Sequence, residues 1–114
     1  MFKNSKDISD YLKTNPNVLA PMVDHSDYPF RMLTRKYGAG LCFTPMLHSR
    51  LLVQDSKYYK KMFVVGGEND RPLVVQLCGN DKNILLQAVN KIKDQCDIIG
   101  NFLLFLFFSN ILDL

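Results

Sequence analysis

The chain reads as an α/β fold built on a parallel sheet. Two observations carry that reading. Short apolar runs begin at residues 18, 41, 73 and 97, with segments of helical spacing between them. The intervals bracket the roughly 31 residues per unit that follow when about 250 residues are shared among eight strand–helix units. Strands alternating with helices at this period pair in parallel through right-handed crossovers. The pattern admits either a doubly wound sheet or a (β/α)8 barrel.

The first strand is VLAPMV, Val18 to Val23. Pro21 falls near its end, where a missing N–H is tolerated. A helix follows. Ser26 or Asp27 can cap it, and Pro29 suits its first turn. Phe30, Leu33 and Tyr37 recur at helical spacing and are expected to form its inner face. Arg35 and Lys36 complement the dipole at its end, and Gly38 can take the left-handed stop. The second strand is LCFTPM, Leu41 to Met46, again with a proline near its end. Residues 48–63 are expected to form a helical segment plus a loop. Gly66, Gly67, Asn69 and Asp70 mark a turn. LVVQLC, Leu73 to Cys78, is apolar throughout except for Gln76, as a strand covered on both faces requires. Asn80 or Asp81 caps the next helix, whose buried stripe is Ile84, Leu85, Ala88, Val89 and Ile92. Asp97 to Gly100 begins a fourth strand.

Composition narrows the class. A length of 114 residues suits one small domain. At 47% hydrophobic and 22% charged, the chain is globular rather than disordered. A net charge of +3 permits an anionic partner without requiring one. Arg50, Lys57, Lys60 and Lys61 read as a solvated face. Cys42, Cys78 and Cys96 are odd in number and contain no CxxC pair, so buried reduced thiols are expected. The opening MFKNSKDISDYLK has no apolar signal region. The expected location is intracellular, cytoplasmic or nuclear, and not secreted.

No GxGxxG or Walker loop is present. His25 and His48 lack HExxH or CxxH partners and read as loop histidines, with no metal expected. Two places stand out. Pro21-Met22-Val23 lies at the C-terminal edge of the first strand, the active-site face in barrel enzymes. Gln76 shares a strand face with Val74 and Cys78. A neutral amide there needs hydrogen-bond partners. Either a neighbouring backbone group or the edge of a planar polar ligand can supply them.

The ordered set APM, DYPFR, CFTPMLH and PLVVQLCGND, spread from about Val18 to Asp97, is specific. It resembles the N-terminal part of the tRNA-dihydrouridine synthases, most closely the eukaryotic branch acting on D-loop uridines. The resemblance implies the N-terminal half of a (β/α)8 TIM barrel, ending after about the fourth strand. It divides the chain into a lead-in (1–17), a partial flavin-binding barrel (18–99) and a divergent apolar tail (100–114). It also implies FMN as cofactor, NADPH as reductant and tRNA as partner. Hydride passes from flavin to one carbon of the uracil double bond, and a cysteine acid protonates the other. The base must leave its stack to be reached. By resemblance, Pro21, Met22 and Val23 lie under the flavin ring and Gln76 meets its polar edge. His48 and Arg50 are placed near the RNA.

One segment departs from the family pattern. Family members follow the Cys-Asp pair with Asn-x-Gly-Cys-Pro, whose cysteine is the catalytic acid. Here Cys96-Asp97 is followed by IIGNFLLFLFF. No cysteine of this chain aligns with that acid, and Asn101 stands one place out of register. No catalytic residue is therefore assigned, and the chain alone is expected to be inactive, with weak or absent FMN binding. The alternative is a non-catalytic product of a truncated or misread gene. FLLFLFF falls short of the roughly 20 apolar residues needed to span a bilayer, so no membrane anchor is expected. It is uncharged and proline-free, a pattern that favours self-association together with an open sheet edge.

Overall fold

A computed structural model describes residues 2–101. The expectations for the FLLFLFF run lie outside the described residues. Helix α1 spans Ser5–Thr14, α2 Tyr28–Lys36, α3 Ser49–Gln54, α4 Ser56–Met62 and α5 Lys82–Ile92. Strand β1 spans Val18–Leu19, β2 Leu41–Phe43, β3 Leu47–His48, β4 Leu73–Cys78 and β5 Ile98–Asn101. Every pairing is parallel: β1 with β2, β2 and β3 with β4, and β4 with β5.

β2 and β3 are two pieces of one strand. Phe43 pairs with Val74 and Leu47 with Leu77, so both pieces follow β4 across a gap at residues 44–46. Pro45 supplies no N–H at that gap. Counted this way, the strands lie side by side in chain order. A doubly wound sheet of order 3-2-1-4-5-6 sets its fourth strand beside the first. Here β5 sits beside β4 instead. The architecture is a partial (β/α)8 barrel.

β4 sets the two faces. Leu73, Val75 and Leu77 are fully buried and pack with Leu47, Leu52, Phe63, Ala88 and Ile92 under the helices. Val74, Gln76 and Cys78 occupy the opposite face, which becomes the interior of a closed barrel. Asp81 caps α5 by accepting from the N–H groups of Asn83 and Ile84. Asp55 caps α4 in the same way.

Several expectations need revision. β1 and β2 are shorter than read, ending before Pro21 and Pro45. Residues 48–63 form two helices rather than one helix and a loop. The lead-in contains α1, capped by Asn4. β5 continues through Asn101, past residue 99. The largest correction concerns α2. Phe30, Leu33 and Tyr37 are exposed, Tyr37 at 80%, and the buried residue of the helix is Arg31. Its guanidinium bonds Asp70, as close as 2.6 Å, across 39 residues of sequence. A buried charge needs its partner more than an apolar side chain needs cover, so the pair sets how the helix is turned.

Cys42 and Cys96 are buried as expected, whereas Cys78 is half-buried. Burial, then the neighbouring Asp97 carboxylate, pushes the Cys96 thiol from the ordinary 9.0 up to about 11. A raised folded-state value favours folding while the thiol keeps its proton. That contribution is complete below pH 9 and is lost as pH rises toward 11. Thermal melts of the chain are expected to fall across this window, and the fall is expected to shrink in Cys96→Ala. Equal pH dependence in the two proteins would contradict this.

Candidate functional site

Gln76 is the polar member of the β4 interior face, between Val74 and Cys78. Its backbone N–H donates to Thr44 Oγ1 at 3.2 Å. Its side-chain amide makes no hydrogen bond among the described residues. Gly100 of β5 stands directly across from it. A methyl group at Gly100 would meet no described atom within 4 Å. Among the described residues, β5 thus sets no side chain beside the amide.

The segment after β1 is fixed from behind. Ser26 is fully buried. Its hydroxyl accepts from the Met22 N–H at 2.8 Å and donates to the Met22 carbonyl at 3.0 Å. The N–H groups of His25 and Ser26 also reach that carbonyl. Arg31 then donates to the Ser26 carbonyl at 2.9 Å and to the Val64 carbonyl at 2.8 Å. The result is a tight turn in which Asp24 takes a left-handed backbone (φ 62°). Pro21 stays half-buried, while Met22 and Val23 are exposed at 37% and 56%. These exposed apolar residues lie at the C-terminal end of β1. β1 is separated from β4 by β2, a span of about 10 Å at two strand spacings.

His48 pairs with Cys78 across β3 and β4, one step beyond Leu47 and Leu77. It therefore shares the Gln76 face and lies nearer the C-terminal rim. Its imidazole caps α3 by accepting from the Leu51 N–H at 3.5 Å. Arg50 follows on α3 and meets Asp81 at 3.6 Å, both half-exposed. His48, Ser49, Arg50, Cys78, Gly79, Asn80, Asp81 and Ile84 line a cavity of about 220 Å³ at this rim. A Cβ at Gly79 would fall on Ser49 Oγ, so glycine leaves the buried Ser49 side chain in place. The structure thus joins His48, Arg50 and the CGND segment at one end of the sheet.

These residues fit a planar ligand with a polar edge. Exposed apolar groups lie at one strand end, and an amide with no partner among the described residues lies two strands away. Asn101 pairs with Leu77, on the other face from Gln76, and donates to the Gly79 carbonyl at 3.2 Å. It contributes nothing to the interior face. Among the described residues, no group of three His, Cys, Asp or Glu is placed to hold a metal ion. No described helix is long and apolar enough to cross a membrane.

Reading the sequence missed Ser26, Arg31 and Thr44 as supports of this site. Ser26 appeared there only as a possible cap, although Asp27 performs that role. Thr44-Pro45 carried a usable signal: a hydroxyl beside a proline inside a strand can replace a lost ladder partner.

A family model for dihydrouridine synthase (Dus) matches residues 18–101. A rat protein named as tRNA-dihydrouridine(16/17) synthase-like is 45% identical over 84 residues, covering 73% of this chain and 19% of the relative. The tRNA-dihydrouridine(16/17) synthase of Saccharomyces cerevisiae is 41% identical over 96 residues, covering 82% of this chain and 23% of the relative. That of Schizosaccharomyces pombe is 39% identical over 97 residues, covering 84% and 24%. The chain thus spans about a fifth to a quarter of the length of these relatives. The family match covers well over half of the chain, including β4 with Gln76 and the Pro21–Val23 segment that follows β1. The chain belongs to the dihydrouridine synthase family.

Proposed function

We propose that residues 18–101 form the flavin-facing start of a tRNA-dihydrouridine synthase barrel. The reaction is reduction of uridine to 5,6-dihydrouridine in the tRNA D-loop, with FMN as cofactor and NAD(P)H as reductant. The observation that carries the reading is the Gln76 side-chain amide on the interior face, which has no partner among the described residues. FMN, when bound, supplies hydride transfer to the uracil ring. Pro21, Met22 and Val23 offer an apolar seat for a flat ring system, and Gln76 offers both a donor and an acceptor to its edge. His48 and Arg50 meet RNA at the rim, Arg50 by pairing with phosphate in competition with Asp81. The relatives matched over 84 to 97 residues at 39–45% identity are named for positions 16/17, and those at 41% over the shorter 71 residues for 20a/20b; the longer matches set the target uridines we favour. The site of action is intracellular, cytoplasmic or nuclear.

The 114-residue chain by itself does not complete this reaction. Protonation of the second uracil carbon needs an acid beside the base. Burial raises the proton affinity of both Cys42 and Cys96, and the Cys96 thiol donates toward the Ile92 carbonyl at 3.6 Å. Neither thiol is presented to the interior; the thiol on that face is Cys78, half-buried at the rim, and it does not align with the acid of the family pattern. The chain also associates with itself along β5, whose outer edge pairs with no strand among the described residues.

The test uses the purified chain with FMN, NADPH and unmodified tRNA. Dihydrouridine is counted by mass spectrometry, and association is followed by sedimentation. No dihydrouridine and a self-associated species are expected. Turnover would overturn the inactivity and assign the acid to another group. A soluble monomer would overturn the association.

A further inference from the structure

The gap between β2 and β3 lies against Gln76. The Thr44 N–H donates to the Val74 carbonyl at 2.9 Å, the last ladder bond before the break. The next donor along that side of β4 is the Gln76 N–H. It has no strand carbonyl to meet, because the chain turns out of the ladder at Pro45. The Thr44 hydroxyl fills the place. It accepts from Gln76 at 3.2 Å and donates to the Pro45 carbonyl at 2.9 Å. Thr44 is 3% exposed, so water does not readily substitute for it.

We infer that Thr44 is a positioning residue for Gln76: its side chain replaces a missing backbone carbonyl and holds the Gln76 backbone at the strand break. This rests on the reading of Gln76 as a flavin contact. The hydroxyl must both accept and donate here, and the backbone it grips carries the amide that faces the ligand. Valine matches the shape of threonine but does neither. Serine does both.

The experiment is amide exchange and side-chain amide resonances in the 15N-labelled chain, with and without FMN. In the parent, the Gln76 N–H is expected to exchange as slowly as those of Val75 and Leu77. Exchange as fast as in an open loop overturns the inference without any variant. Thr44→Val is expected to speed Gln76 exchange by about tenfold or more relative to Val75. It is also expected to move the Gln76 side-chain resonances, and Thr44→Ser is expected to restore both. Ile92→Val serves as a control for stability loss alone, speeding exchange across the sheet without singling out Gln76. A uniform rise in Thr44→Val, or no rescue by serine, overturns the inference. FMN is the separate arm. If FMN binds the parent and shifts no Gln76 resonance, the flavin reading fails; exchange decides the role of Thr44 whether or not FMN binds. If FMN does shift a Gln76 resonance, Thr44→Val is expected to weaken that response several-fold more than Ile92→Val.

Discussion

Asp70→Asn is expected to destabilise the chain more than any other single polar substitution, by about 3–5 kcal/mol. Asp70 is fully buried and holds Arg31 through three contacts of 2.6 to 3.2 Å. It also meets Arg35 at 3.4 Å. Removing its charge leaves two guanidinium groups facing each other without a counter-ion. Arg31→Met is expected to cost less, because Asp70 keeps Arg35. Even so, it frees the Ser26 and Val64 carbonyls that Arg31 bonds. The turn after β1 is then expected to loosen before the sheet does. Urea unfolding at unchanged slope gives the stability ranking. Amide exchange at His25 and Ser26 reports the turn. Equal midpoints for Asp70→Asn and the parent would show that the buried pair contributes nothing net.

Leu77→Ala is expected to cost about 2–5 kcal/mol. Leu77 is fully buried in the middle of the sheet, with Leu47 on one side and Asn101 on the other. Its neighbours are strand residues that cannot collapse easily into the space it leaves. Domains of this size hold roughly 0.05–0.15 kcal/mol per residue, so such a loss removes much of the total. Leu86 carries the same side chain at 53% exposure on α5. Leu86→Ala is expected to stay within about 0.5 kcal/mol of the parent. Similar losses at both sites would mean that β4 does not anchor the core.

What could be read from the sequence was local. LVVQLC announced β4, because a run of apolar residues with one amide fits a strand covered on both faces. The same period-two rule put Gln76 with Val74 and Cys78, and the structure keeps them together. Asp81 and Asp27 were readable as caps, since their partners lie within three residues. The failures were long-range. Nothing near Arg31 shows that Asp70 will bury it from 39 residues away, so the apolar spacing of Phe30, Leu33 and Tyr37 misassigned the inner face of α2. The break in the second strand was similarly hidden. Pro45 was visible, but the bond from Gln76 to Thr44 joins residues 32 apart. The order of strands also lay beyond the sequence pattern, because periodicity fixes spacing and not neighbours.

The central claim is that residues 18–101 are a working flavin-facing segment of the family, with Gln76 at its centre. Its most direct test places this segment in the Saccharomyces cerevisiae relative, in exchange for the matching part, in cells lacking that relative. Dihydrouridine at tRNA positions 16 and 17 is then measured. The account predicts that the modification returns. It also predicts that Gln76→Leu lowers it about tenfold at equal protein level, as loss of a buried hydrogen bond to a ligand does. A folded exchange protein that makes no dihydrouridine, or one indifferent to Gln76→Leu, would contradict it.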